Sequence, residues 1–418
     1  MDAQNKRLVI CCDGTWNTPE QATNVVKLLR SIKPYSADGK HQVVFYDQGV
    51  GTYNLVDKLI GGAFGKGVEQ NVLDAYRFIA NNYQQGDEIY CYGFSRGAYT
   101  ARALGGMLHC IGLLPKDELH HLSSAYKYYR TPPQKREMMA YEDNHKPEIQ
   151  LMAVWDTVGA LGAPTPILGR FTQALVGFFD THLSPEIKHA YQALAIDEKR
   201  AVFQPALWTG EINSDQTVEQ CWFAGSHGDV GGGYAQSTLS NVALSWMVYK
   251  SAALGLDFSS EYLSYRGEMH ADDVHDPYNL FYQGLEKIGV KQGIRQLQGD
   301  IDNPPINMSM HESVIQRMDQ VESYQPVNFI NTLAIARTDE RRHFTRLKTA
   351  KLQGLLQTDK EAIGCEILDY SPLGGVKINC DQGLHEADTI AISSARFAKT
   401  LATCVWQQGN TYGLHFAA

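Results

Sequence analysis

The chain has 418 residues, with 37 Lys+Arg against 46 Asp+Glu, a formal net charge of -9 and a 44% hydrophobic fraction. This is the composition of an ordinary globular protein with ample material for a core, and it excludes disorder, collagen and coiled coil. The acidic balance carries no basic tract and lacks the footprint that phosphate backbones select, so no nucleic-acid partner is expected.

Met1 leads through the polar stretch Asp2-Ala3-Gln4-Asn5-Lys6-Arg7, with no cleavable apolar region behind it. No run approaches the ~20 apolar residues needed to cross a bilayer. The sequence therefore reads as a chain made soluble in the cytoplasm, and export would need a machine that uses no signal peptide. Its 8 cysteines form no Cys-x-x-Cys pair and are expected as buried free thiols.

Leu8-Val9-Ile10-Cys11-Cys12, ended by Asp13-Gly14-Thr15, suits a buried parallel strand feeding a loop. A helix follows from Asn24, with Thr23 as N-cap and Pro34 beyond its end. Gln42 to Tyr46 is a second strand. A glycine-rich stretch from Gly49 to Gly67 then opens a helix on which Val68, Val72, Ala75 and Ile79 recur at helical spacing, ended by Gly86. Gly61-Gly62-Ala63-Phe64-Gly65-Lys66-Gly67 lacks the spacing of a phosphate loop and is read as a loop bordering the site. Glu88 to Tyr92 is a third strand, followed at once by a helix lined by Ala101, Leu104, Leu108 and Ile111, and later strands fall at 149–155 and 218–224. This alternation predicts a mostly parallel sheet covered by helices on both faces, with ligands at the carboxyl ends of the strands. The expected division is a core over 1–258 and an appended helical and β-leaning region over 259–418.

Chemistry-bearing residues gather at the strand ends. Gly93-Phe94-Ser95-Arg96-Gly97 lies between a strand and a helix, the context in which a serine on a strained turn is exposed as a nucleophile. The competing reading is a turn in which Ser95 merely caps the helix. A serine needs a base to take its proton, and the base needs an orienting carboxylate. Asp156, at the end of the apolar strand Val154-Trp155, is read as that acid, and His227, in the glycine-dense Gly225-Ser226-His227-Gly228-Asp229, as the base. Asp229 is a rival acid, its structural reading being a carboxylate that holds the glycine loop through backbone N–H groups. His311 is a rival base. The tetrahedral oxyanion needs backbone donors worth about 3 kcal/mol each; the N–H of Arg96 and that of Gly14 or Thr15 are the candidates.

From Ala160 to Phe179 the only charge is Arg170, among Leu161, Ile167, Phe171, Phe178 and Phe179. Following directly on Asp156, this stretch reads either as a lid-like insertion (about 160–185) guiding an acyl chain or resting on a membrane surface, or as a buried core helix.

Taken together, Cys12-Asp13-Gly14-Thr15-Trp16-Asn17, Gly86-Asp87-Glu88-Ile89-Tyr90, Gly93 to Arg102, Val154 to Gly159 and His227 to Tyr234 carry a resemblance. The chain resembles the uncharacterised α/β-hydrolase family that includes the type VI secretion phospholipase effectors of the first lipase-effector class. The resemblance implies an α/β-hydrolase fold with a triad on Ser95, Asp156 and His227. In the effectors it implies phospholipase A activity on bacterial membranes, export by type VI secretion and partners in the secretion machinery and in immunity. The expected protein is a serine esterase or lipase without cofactor or metal, acting on glycerophospholipid or another acyl ester. Its alternatives are a soluble short-chain carboxylesterase or thioesterase, a non-catalytic module that kept the fold, and a metal-dependent phosphohydrolase using Asp13, Asp156 and Asp229.

Overall fold

A computed structural model describes residues 5–14, 22–49, 61–136, 141–158, 181–263, 273–277, 292–336, 347–357, 362–371, 375–381, 383–385, 388–394 and 397–416. The apolar runs become strands β1 (Arg7–Cys12), β2 (Gln42–Asp47), β3 (Glu88–Phe94), β4 (Ile149–Trp155), β5 (Ile187–Ala195) and β6 (Thr217–Phe223). With β7 (Met308–His311) and β8 (Ala334–Ala336) they form an 8-stranded sheet in the order β2-β1-β3-β4-β5-β6-β7-β8, every described pairing parallel.

The continuous apolar runs reflect burial on both faces. Along β1, Leu8, Ile10 and Cys12 enter one apolar cluster, whereas Val9 and Cys11 enter the other. The first cluster is covered by α2 (Gly61–Asn82), α3 (Arg96–Ile111) and α4 (Leu122–Arg130); the second is covered by α1 (Asn24–Ser31). α5 (His227–Gly231) also reaches the second cluster through Val230, and α6 (Thr238–Ala253) through Val242, Trp246 and Met247. Each fully buried Leu or Ile in such layers contributes about 1.5–3 kcal/mol relative to exposure. Thr23 caps α1 as expected, its hydroxyl oxygen accepting the Val26 N–H at 3.2 Å. The segment from Gly61 to Gly67, read from sequence as a loop, instead forms the opening turns of α2. No described helix is long and apolar enough to cross a membrane.

The sheet does not stop at the boundary expected near residue 258. β7 pairs with β6 and β8 with β7, and α7 (Glu312–Gln320) packs beside them, so part of the region read as appended extends the core. The remainder is a closed antiparallel barrel of β9 (Leu347–Gln357), β10 (Ala362–Ser371), β11 (Gly375–Asn379), β12 (Thr389–Ser394), β13 (Phe397–Gln408) and β14 (Thr411–Phe416). Its own apolar interior includes Ile367, Val376, Ile378, Ile392 and Leu414. All eight cysteines are free thiols, and burial pushes that of Cys91 up to about 12.

Candidate active site

Ser95 sits between β3 and α3 with φ 57° and ψ -120°, a backbone region that costs a non-glycine residue on the order of 1–3 kcal/mol. The turn is held from both sides: the Ser95 N–H donates to the Trp155 carbonyl at 3.0 Å, and the Ser95 carbonyl accepts the Tyr99 N–H at 3.3 Å. Its glycines are required by contact. A Cβ on Gly93 would lie 2.5 Å from the Ala98 Cα, and one on Gly97 would lie 2.2 Å from the Cys12 carbonyl oxygen. The loop after β1 thus runs against the turn. The Ser95 side chain makes no capping hydrogen bond to α3, so the helix-cap reading does not describe it.

Asp156 follows β4 at φ 42° and is fully buried. Its Oδ2 lies 2.6 Å from His227 Nδ1, on α5 just after β6. A second side-chain partner of this carboxylate is Arg295, which sequence reasoning did not single out. The Arg295 Nη1 donates to Asp156 Oδ1 at 2.6 Å and its Nη2 to Oδ2 at 2.9 Å. Burial alone would raise the Asp156 carboxyl, but the Arg295 charge and the His227 hydrogen bond outweigh it and hold the group well below the usual carboxylate range.

His227 is enclosed by the Phe94 ring at 4.6 Å and by the Phe203 ring, edge-on at 5.0 Å. Its backbone N–H donates to Glu198 Oε2 at 3.2 Å, and Glu198 in turn accepts three hydrogen bonds from Arg200, two from the guanidinium and one from the backbone N–H. Burial pushes the imidazole below its ordinary value, more than the Asp156 hydrogen bond and charge raise it, so the neutral ring is favoured. With an ionised carboxylate at Nδ1, the proton of that neutral ring belongs on Nδ1 and the lone pair on Nε2. Asp156 and His227 therefore touch directly. Ser95 joins them through its neighbours, since Phe94 packs on His227 and Trp155 accepts the Ser95 N–H.

The rival candidates have other partners. Asp229 accepts the Ser226 N–H at 2.9 Å, closing a capping box, and faces His275 Nδ1 at 2.6 Å, as the loop-holding reading expects. His311 caps α7, its Nδ1 accepting the Ser313 N–H at 3.3 Å, and stacks on Phe223 at 4.6 Å. Asp13 accepts the Thr23 hydroxyl at 2.7 Å and the Tyr46 hydroxyl at 3.1 Å. The Gly14 N–H, expected to face an oxyanion, instead donates to Asp13 Oδ1 at 2.7 Å. A short acidic side chain next to a glycine readily closes such a turn. Thr15 and residues 160–180 of the lid-like stretch lie outside the described residues. Arg96 opens α3, where the first backbone N–H groups have no partner within the helix. Asp13, Asp156 and Asp229 thus belong to three separate hydrogen-bond sets, and the described residues hold no cluster of three or more His, Cys, Asp or Glu able to bind a metal ion.

Arg295, Glu198, Arg200 and Phe203 carry no local signature. The one sequence signal bearing on Arg295 is indirect: a carboxylate at the end of an apolar strand requires a cationic or hydrogen-bonding partner from somewhere in the chain.

A family model described as "T6SS, Phospholipase effector Tle1-like, catalytic domain" matches residues 6–250. An uncharacterized protein of Saccharomyces cerevisiae, YEL023C, is 24% identical over 237 residues, which make up 50% of this chain and 33% of that protein. Among solved structures, an uncharacterized protein from Pseudomonas aeruginosa aligns with a TM-score of 0.37 and 18% identity, covering 65% of this chain and 49% of the other. The Tle1 effector bound to the VgrG spike of the type 6 secretion system aligns with a TM-score of 0.33 and 18% identity, covering 55% of this chain and 51% of the other. The chain thus spans 33% of its curated relative and about half of each of these solved chains.

Proposed function

The chain belongs to the Tle1-like phospholipase effector catalytic-domain family of type VI secretion, and from that premise we propose that it is a serine hydrolase of the α/β-hydrolase type that cleaves acyl esters of glycerophospholipids. The observation that carries the reading is the 2.6 Å contact of Asp156 with His227, with Phe94, the neighbour of a serine held at φ 57°, packed on that imidazole.

In this mechanism Ser95 Oγ attacks the ester carbonyl while His227 Nε2 takes its proton. Asp156 fixes the imidazole tautomer and stabilises the imidazolium as it forms. The tetrahedral oxyanion is met by the Arg96 N–H at the positive end of α3. His227 then returns the proton to the departing alcohol, leaving an acyl-enzyme. Water, activated by the same imidazole, releases the fatty acid. Family membership also supports carriage through a type VI secretion machine and a membrane lipid as substrate.

The test is labelling by a fluorophosphonate, which reacts only with an activated serine, together with fatty-acid release from phosphatidylglycerol and phosphatidylethanolamine vesicles. We expect labelling and release in the wild type and neither in a folded Ser95→Ala variant. Release that persists undiminished in Ser95→Ala defeats the mechanism. Release from monomeric short-chain esters but not from vesicles defeats the phospholipid assignment and leaves a soluble esterase.

A further inference from the structure

We propose that Arg295 is the positioning residue of the hydrolytic centre: by gripping both oxygens of Asp156 it fixes the carboxylate that orients His227, so the functional unit extends past the family-matched residues 6–250. The inference rests on the reading of Ser95, His227 and Asp156 as the acting groups.

The geometry is that of a clamp. The Arg295 side chain is 1% exposed and spends both terminal nitrogens on Asp156. Nη1 also donates to the Ala195 carbonyl at 2.7 Å, and Nη2 to the Phe203 carbonyl at 2.5 Å. The Ala195 N–H donates to Asp156 Oδ1 at 3.1 Å, so the end of β5 holds the carboxylate and its clamp together. A planar guanidinium that meets both carboxylate oxygens fixes the plane of the carboxylate, which a single ammonium does not. Asp156 Oδ2, the oxygen facing His227, is thereby held in a fixed direction.

The clamp also balances charge around the imidazole. Among the described residues, the charges that act on His227 are those of Asp156, Glu198 and Arg200, and Arg295 joins them through Asp156, which makes two of each sign. Asp229, on the same short helix, is taken by Ser226 and His275. Removal of the Arg295 charge leaves this set with an excess negative charge, which favours the protonated imidazole. A residue that served only to hold loops together would alter stability without moving that equilibrium.

The experiment is the rate of fluorophosphonate labelling of the full chain as a function of pH, in wild type, Arg295→Met and Arg295→Lys. In Arg295→Met the midpoint of the acid limb should rise by about one pH unit. In Arg295→Lys, which keeps the charge and loses the fork, the midpoint should stay and the rate should fall at least about tenfold. A folded Arg295→Met with the wild-type rate and midpoint overturns the proposal. Should Arg295→Met not fold, Arg295→Lys decides, and labelling at the wild-type rate overturns it. A wild type that does not label at Ser95 overturns the underlying reading and the clamp with it, whereas labelling intact in the wild type isolates Arg295 as the variable.

Discussion

The parallel sheet and the C-terminal barrel treat polar side chains in opposite ways. Among the described residues, every buried polar or charged side chain lies between Arg7 and Arg317, and the buried side chains of the barrel strands are all apolar, Cys or Tyr. The two non-glycine residues of the site at positive φ, Ser95 and Asp156, are in the sheet region too. Buried charge and backbone strain both cost stability and persist where surrounding structure compensates them. The barrel instead follows the simple rule of apolar side chains inward, with Leu355, Leu401 and Val405 among its exposed side chains. The contrast separates the region that carries the proposed site from one organised for packing, and mutations can test that separation.

The largest effect is expected from Ser95→Ala, with ester hydrolysis falling by about 10⁴-fold or more while the circular dichroism spectrum is kept. Asp156→Asn should lower labelling by a comparable factor. It also leaves the buried Arg295 without a counter-charge, at a cost of about 3–5 kcal/mol. In urea denaturation, adding Arg295→Met to Asp156→Asn should recover part of that stability and none of the labelling; recovered activity would contradict the role of Asp156.

In the barrel, Ile392→Ala should lower stability by about 2–5 kcal/mol through a cavity, with Ser95 labelling of the folded fraction unchanged. A labelling loss that follows Ile392 would break the separation of the two regions. At the turn itself, Gly97→Ala forces a methyl group to within 2.2 Å of the Cys12 carbonyl oxygen, and overpacking of this kind costs about 1–3 kcal/mol. Its melting temperature should fall and its labelling should slow together.

The smallest effect sharpens the choice between histidines. His311→Ala removes a helix cap worth about 1 kcal/mol and should leave labelling intact, whereas His227→Ala should abolish it. For wild type, the sign of the pH dependence follows from the imidazole. The base must be neutral, and burial lowers its pKa, so activity should rise with pH through a midpoint below the ordinary value of about 6.5. A midpoint above that value would mean that the Asp156 charge outweighs burial.

Much of this arrangement was legible in the sequence because its causes are local. The candidate Ser95 is marked by a strand, a turn and a helix in succession, and the candidates Asp156 and His227 by their places after apolar runs. Other elements left weaker traces. β5 mixes Lys188, His189 and Gln192 with its apolar residues, and the buried Gln192 is explained by partners from other segments: it accepts the Thr157 hydroxyl at 2.5 Å and donates to the Ala206 carbonyl at 3.1 Å and to Gln220 Oε1 at 3.2 Å. β7 and β8 span 4 and 3 residues, too short for any periodicity to stand out. Gly14 shows the opposite case: the sequence marks its loop and offers the N–H of Gly14 or Thr15 as an oxyanion donor, but the neighbouring Asp13 carboxylate takes the Gly14 N–H.

The sequence by itself determined the turn at Ser95, the glycines that make it feasible and the strand-end places of the proposed acid and base, since each depends on residues within a few positions of it. Only the tertiary structure decided that the Asp156 carboxylate is held by Arg295, 139 residues away and beyond the expected end of the core. Strand pairing brings Asp156, Ala195 and His227 to one end of the sheet, and a buried carboxylate there must meet a cation. Which cation the chain delivers depends on where its later segments pack, and no short window of sequence records that.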